Sequence, residues 1–554
     1  MMTIRSLLEK CARDTPDVVA LCSCEQKEWR SRTYAEFLCD VRRAAAAYGS
    51  SFGLCPGVEN VALILSNSPT WMECYLACSG AGVAVVPIDP KLHNDEVAYI
   101  LGDSGAVVVT TDKAHLDMMR AIVPELPSVR AVVVVDAETA CDPIGTVTVR
   151  GLAALRVAVE DESWYDVHVA DEESVASIIY TSGTTGKPKG AMLTHGNFTA
   201  DAVGALDAFG EHVDSDDVFL VVLPLFHAFS FCTNFVVPLL TGSSMVFVRS
   251  LYTIGEDVKL LRPTVIMGVP LLAEKMFDKI DAKLKTSKMA KFLTAIGLRS
   301  LLLGAVKKGL GGRLRFLIVG GAPCPRHVLE GFNRLGITML EGYGLTECSP
   351  VVSIAGPKCA RVGTIGAKIA NIEIRLADQN EQGVGELQVK GPITMKGYWH
   401  NDVATEEAFD GEWLKTGDLA SVADDGLITI CGRKKALIVN REGKNIYPEE
   451  VENRIAADPL VADCVVVGYT TGGIPGEKVG CVVHPNMDLL KERNGGKEVA
   501  WEEAMKVAHD HVHAQCHDLA DYKRVRKVVV MKDPLERTSI QKVRRVTYQG
   551  TLDE

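Results

Sequence analysis

Short, wholly apolar, β-branched runs recur through the first half of the chain, separated by turns and amphipathic stretches. Val61-Ala-Leu-Ile-Leu65, Val83-Ala-Val-Val86, Ala106-Val-Val-Val-Thr110 and Ala131-Val-Val-Val-Val135 read as strands, and Thr70 to Ala81 reads as a helix between the first two. Strands that are apolar on both faces need cover on both faces, which helices on either side of a mainly parallel sheet supply. The fold class expected is therefore α/β, with doubly wound sheets. Ligands of such sheets bind beyond the carboxyl ends of the strands.

At 554 residues the chain is too long for one core. From about Gly363 the texture changes to short strands and turns, such as Ile372 to Leu376, Gly385 to Gly391 and Gly426 to Ile430. This suggests a small β-barrel-like subdomain over about 360–432, closing a first domain of 1–432. After Gly432-Arg-Lys-Lys435, strands (Cys464 to Val467, Val479 to Val483, Val528 to Val530) mix with helices (Glu449 to Ala457, Val499 to His513). The stretch 433–554 is long enough for an α+β domain of its own.

A net charge of −12 argues against a nucleic-acid surface as the main function. The cysteines show no CxxC pair, and the opening Met-Met-Thr-Ile-Arg has no apolar signal segment, so reduced thiols in the cytoplasm are expected. Val218 to Val248 carries no charge, but Pro224, His227, Asn234, Pro238 and Gly242 interrupt it before it could span a bilayer.

Val175 to Tyr180 reads as another buried strand, followed at once by Thr181-Ser-Gly-Thr-Thr-Gly-Lys-Pro-Lys-Gly190. Glycines let the backbone approach a polyanion, so that its N–H groups can meet phosphate oxygens. Thr181, Ser182, Thr184 and Thr185 add hydroxyls beside Gly183 and Gly186, and Lys187 and Lys189 add charge. The spacing is not that of the Walker loop, because Pro188 stands where that motif needs Ser or Thr. Arg315 to Val319 is a second strand running into a tight turn, Gly320-Gly321-Ala322-Pro323.

Other segments are ambiguous alone. Glu341-Gly-Tyr-Gly-Leu-Thr-Glu347 pairs a stacking ring with a carboxylate able to bind Mg²⁺, or merely caps a helix. Asp418 can accept from ribose hydroxyls or serve as a turn residue, and Arg433 can donate to the same ribose. His227, in Leu223-Pro-Leu-Phe-His-Ala-Phe229, is a core imidazole or a functional one. His509, His513 and His517 share helical spacing with Cys516 nearby, but no second ligand pair follows, and an exposed face is expected.

Taken together and in order, these motifs resemble the adenylate-forming superfamily over nearly the whole chain. The resemblance implies ATP, Mg²⁺ and coenzyme A as ligands. It implies Thr181–Lys189 as the phosphate loop, Gly320, Gly321 and Ala322 as an adenine-contacting turn, and Tyr343, Gly344, Thr346 and Glu347 as a second nucleotide motif. Asp418 and Arg433 would hold ribose, and Glu347 with Thr184 would hold the metal. Lys542 matches the catalytic lysine, although Gln541 replaces the usual Gly; Lys542, Glu347, Thr184 and His227 form the expected catalytic set. Lys435 matches the hinge, with Ala436 in place of a frequent acid, and Gly443 and Lys444 belong to a loop that shapes the thiol tunnel. Leu260 to Phe277 and the segment Lys283 to Arg313 resemble bacterial long-chain fatty acyl-CoA synthetases, and Phe229, Phe231 and Phe235 suggest an apolar acyl channel. The implied reaction turns a medium- to long-chain fatty acid into acyl-AMP and then a CoA thioester. Acyl carrier protein as acceptor, a silent nucleotide-binding protein, contact with the inner face of the membrane and a homodimer stay open.

Overall fold

The computed structural model describes residues 2–139, 141–159, 161–181, 187–210, 213–287, 299–357, 360–442, 444–456, 459–470, 477–537 and 543–552, with backbone only at 299–301. Among these residues two large sheets are built from strands between Val19 and Tyr398. One has eight strands and a parallel centre, in which Asn60–Ile64 lies between Ala84–Ile88 and Val108–Thr111, continued by Ala131–Val134 and Thr148–Gly151. The other has nine strands, with Val218–Val221, Val265–Gly268, Phe316–Val319 and Thr338–Gly344 running parallel. The apolar runs thus became parallel strands, as their two-sided hydrophobicity requires.

The helix Pro69–Ser79 explains how the sheets join. Ser68 caps it, Pro69 occupies the first turn, and all but Thr70 is buried. A helix apolar all round cannot lie on a surface. It packs against Asn60–Ile64 and Ala84–Ile88 of one sheet and Val19–Glu25 of the other. The main core correspondingly mixes Val61, Leu63 and Val85 with Phe219, Val221 and Ile318. Each such fully buried aliphatic or aromatic side chain contributes about 1.5–3 kcal/mol.

Phe231 and Phe235 join this core. Their rings pack on Tyr75 at 4.5 and 6.2 Å, and Phe231 also contacts Trp71 and Phe198. The expectation that they line an acyl channel alongside Phe229 is corrected: their surfaces are taken up by other aromatics. The charge-free segment 218–248 is likewise interior, and among the described residues no helix is long and apolar enough to cross a membrane.

Beyond these sheets, Glu373–Ala377, Gly385–Lys390, Trp413–Val422, Phe409–Asp410 and Ile428–Arg433 form a five-stranded antiparallel sheet. The C-terminal domain follows, with Val461–Tyr469, Lys478–Pro485 and Lys527–Val530 in a three-stranded sheet. Helices Pro448–Ile455 and Trp501–Cys516 cover it, around a core of Ile446, Val451, Val466, Val483 and Val512. On this second helix Cys516 is buried while His509 is exposed, as is His517 just beyond its end.

Candidate active site

Both loops marked by the sequence start at carboxyl ends of parallel strands. Val175–Thr181 pairs in parallel with Ala84–Ile88 and ends at the phosphate-type loop, while Phe316–Val319 ends at Gly320. Gly321 has φ +85°, which a side chain would strain. Gly344 is required by contact instead, since a Cβ there would lie 1.7 Å from the Pro350 carbonyl oxygen.

At one end of the site Asp418 is 4% exposed and faces Arg433 across antiparallel strands. Arg433 Nε lies 2.7 Å from Asp418 Oδ1, and the Tyr343 hydroxyl donates to Oδ2. Burial, then the Asp418 charge, drives the Tyr343 phenol well above its usual range, so it stays protonated and donating. The aromatic ring, the carboxylate and the guanidinium therefore meet although the chain brings them from three segments.

At the other end the strand Lys189–Thr194 pairs with Val175–Thr181 on one side and with the short strand Gly397–Tyr398 on the other. That pairing sets Lys189 Nζ 5.3 Å from the Tyr398 ring centre. The Tyr398 hydroxyl donates to Glu347 Oε1 at 2.9 Å, and Met395 N–H donates to the Glu347 carbonyl at 2.9 Å. Lys187 Nζ sits 5.0 Å from the Tyr99 ring centre, while the Tyr99 hydroxyl donates to the Pro188 carbonyl at 3.1 Å. Glu347, oriented by one phenol, is a hard oxygen donor suited to a divalent cation beside phosphate.

An apolar wall lies beside the Gly320 turn. A Cβ on Gly320 would approach Phe229 Cζ at 3.2 Å, so this ring abuts the glycine turn. His227 stands two residues earlier with its ring against Phe226, and burial lowers its pKa to about 4. The imidazole is neutral at physiological pH. Glu341 accepts the Cys324 N–H at 3.2 Å, and burial raises its pKa to about 7.

A sequence model described as AMP-binding enzyme matches residues 8–399. This chain belongs to that family. A long-chain-fatty-acid–CoA ligase of Mycobacterium bovis is 31% identical over 493 residues, covering 82% of this chain and 78% of the relative. A feruloyl-CoA synthase of an Amycolatopsis species is 33% identical over 446 residues, covering 79% and 80%. The crystal structure of ATP-bound MatB from Rhodopseudomonas palustris superposes with a TM-score of 0.77 at 25% identity, covering 99% of this chain and 100% of that one.

Within this AMP-binding enzyme, the residues picked from sequence fall into groups. Tyr343, Asp418 and Arg433 are brought together, as are Lys189 and Glu347 through Tyr398; Gly320, Gly321 and Ala322 form the turn beside Phe229. Thr181 ends its strand with its hydroxyl 3.5 Å from the Lys189 carbonyl, and Thr346 opens the turn carrying Glu347. Lys444 is elsewhere: it pairs with Glu442 at 2.8 Å and lies over the Tyr522 ring. Lys435, in the turn Lys434–Ala436, lines a cavity of about 330 Å³ with 466–470, Glu477 and Arg545. Ser182, Gly183, Thr184, Thr185, Gly186, Gly443 and Lys542 lie outside the described residues.

Sequence reasoning missed Tyr398, Tyr99 and Glu341. Glu341 stood inside a quoted motif, where an acid before Gly-Tyr-Gly was a usable signal. Tyr398 gave none, because its role depends on a strand pairing with residues some two hundred positions earlier.

Proposed function

We propose that this chain is an acid–thiol ligase that uses ATP to convert a medium- to long-chain fatty acid into acyl-AMP and then transfers the acyl group to the thiol of coenzyme A. The observation that carries this reading is the convergence of Tyr343, Asp418 and Arg433 at one end of the site and Lys189, Tyr398 and Glu347 at the other. A nucleoside needs a flat ring and a ribose acceptor, and a triphosphate needs cations. Family membership, a fatty-acid ligase relative and an ATP-bound structural neighbour support the same chemistry.

In this reading a carboxylate oxygen of the acid attacks the α-phosphorus, an O–P bond forms, and the bond to pyrophosphate breaks. Two anions must approach, so the site has to supply positive charge where the new bond forms. Lys542 takes that role, and Thr181 to Lys189 hold the β- and γ-phosphates. Asp418 and Arg433 fix the ribose and Tyr343 the base. Neutral His227 and Phe229 wall the acid side without adding charge there. Glu347, with the hydroxyl of Thr184, would hold magnesium, which when bound neutralises phosphate charge. Residues 433–554 then turn about Lys435 to admit the thiol.

The feruloyl-CoA synthase relative favours a second reading, in which the acid is aromatic. Pyrophosphate release should be measured with medium- and long-chain fatty acids, hydroxycinnamic acids and amino acids, with coenzyme A or acyl carrier protein as acceptor. Turnover with fatty acids and coenzyme A is expected. Turnover confined to aromatic or amino acids would refute the fatty-acid assignment.

A further inference from the structure

We propose that Asp201 is a positioning residue that holds the acid-binding side and the metal-binding side of the site in fixed register. The proposal rests on the adenylation reading above. Asp201 lies in the helix His195–Asp207 and is 0% exposed. Its carboxyl makes two contacts: Oδ1 accepts the Val351 N–H at 2.8 Å, and Oδ2 accepts the Cys232 thiol at 2.9 Å.

Those partners belong to opposite sides of the site. Val351 follows the turn Thr346–Cys348 that carries Glu347, and Ser349, between them, is anchored by its hydroxyl to the Ile393 carbonyl at 2.8 Å. Cys232 opens a π-helical turn, Cys232–Val236, directly after the helical turn Ala228–Phe231 that carries Phe229. Such wide turns recur at functional sites, because the extra residue redirects neighbouring side chains. Thr233 ties this turn back to Phe229, its hydroxyl donating to the Phe229 carbonyl at 2.7 Å. One buried carboxyl thus joins the wall that would meet the acid to the loop that would meet the metal.

Burying a carboxyl is costly without partners, and apolar packing alone would fill the space more cheaply. Burial pushes the Asp201 carboxyl well above its usual range. A carboxamide has the same shape: its oxygen can accept from Val351, and its NH2 can donate to the sulfur, which then turns from donor to acceptor. Alanine leaves the buried Val351 N–H unpaired and the Cys232 thiol with only the Phe198 carbonyl at 3.9 Å.

The test compares Asp201→Asn, Asp201→Ala and Cys232→Ala with the wild-type enzyme in pyrophosphate release, recording kcat, KM for the acid, the Mg²⁺ concentration for half-maximal rate, and Tm. Asp201→Asn should stay within about twofold of wild type in every kinetic parameter. Asp201→Ala should raise both the acid KM and the Mg²⁺ requirement about tenfold. Cys232→Ala should raise the acid KM while leaving the Mg²⁺ requirement unmoved. A folded Asp201→Ala enzyme with only a lower Tm, or an Asp201→Asn enzyme as impaired as the alanine variant, overturns the proposal. If Asp201→Ala does not fold, an unchanged acid KM in Cys232→Ala overturns it equally. A wild-type protein that releases no pyrophosphate with any acid refutes the adenylation reading itself.

Discussion

Arg433 Nε lies 2.7 Å from Asp418 Oδ1 on the adjacent antiparallel strand, and the Tyr343 hydroxyl closes on the other carboxylate oxygen. A half-exposed guanidinium and a half-buried phenol thereby orient one carboxylate in advance. An acceptor held in this way can take two vicinal hydroxyls with little further ordering.

Removing that acceptor should weaken nucleotide binding specifically. Asp418→Ala is expected to lower AMP affinity by roughly 1.5–3 kcal/mol, about 10- to 150-fold, as for hydrogen bonds to a charged group. Calorimetric titration with AMP measures this directly. An unchanged Kd would remove Asp418 from the site.

Glu347 and Tyr398 should act as donor and orienter. Glu347→Gln is expected to raise the Mg²⁺ concentration needed for half-maximal pyrophosphate release by more than tenfold, since a cation site loses its charge. Tyr398→Phe deletes only the 2.9 Å hydrogen bond to Glu347 and should cost about 1 kcal/mol, near fivefold. Equal effects from both variants would contradict the assigned division of roles.

How much of this was legible beforehand differs from residue to residue. The strands around Val61, Val85 and Val132 were readable because two-sided burial writes itself into composition. The strand ends that precede the glycine-rich loop and the Gly320 turn were readable too, because a buried apolar run that stops at glycine marks where the strand stops. Phe231 and Phe235 were misread, since an aromatic in an apolar run looks the same whether it lines a channel or fills a core. Tyr398 and Asp201 were invisible for a different reason: each works through partners distant in sequence, and nothing local distinguishes it.

Two half-reactions in one site should separate genetically. Lys542→Ala is predicted to abolish acyl-AMP synthesis, a loss of at least about a hundredfold for a charge acting only in the transition state, while sparing thioester formation from supplied acyl-AMP. Lys435→Pro should do the reverse by stiffening the turn between domains. Stopped assays of each half-reaction distinguish the outcomes, and equal loss of both steps in either variant would contradict a domain rotation about Lys435.

Glu341 should leave a mark on stability against pH. Burial raises its pKa to about 7 from the ordinary glutamate value of 4.5, so the folded protein binds this proton more tightly than the unfolded chain does. Between those values the native state holds the proton and the unfolded state has lost it, and stability therefore falls as pH rises through the window. Above it the contribution is constant. Urea midpoints near about pH 5 and about pH 8 should show a larger drop for wild type than for Glu341→Gln. Parallel pH profiles would show that the carboxyl is not held protonated.

The central claim is that distant segments converge around one nucleotide, and a crystal structure of the enzyme soaked with AMP tests it most directly. The account predicts ribose hydroxyls on Asp418, Arg433 at the same sugar, the base against Tyr343 and the Gly320 turn, and the phosphate directed toward Thr181–Lys189. AMP bound anywhere else on the chain would contradict it.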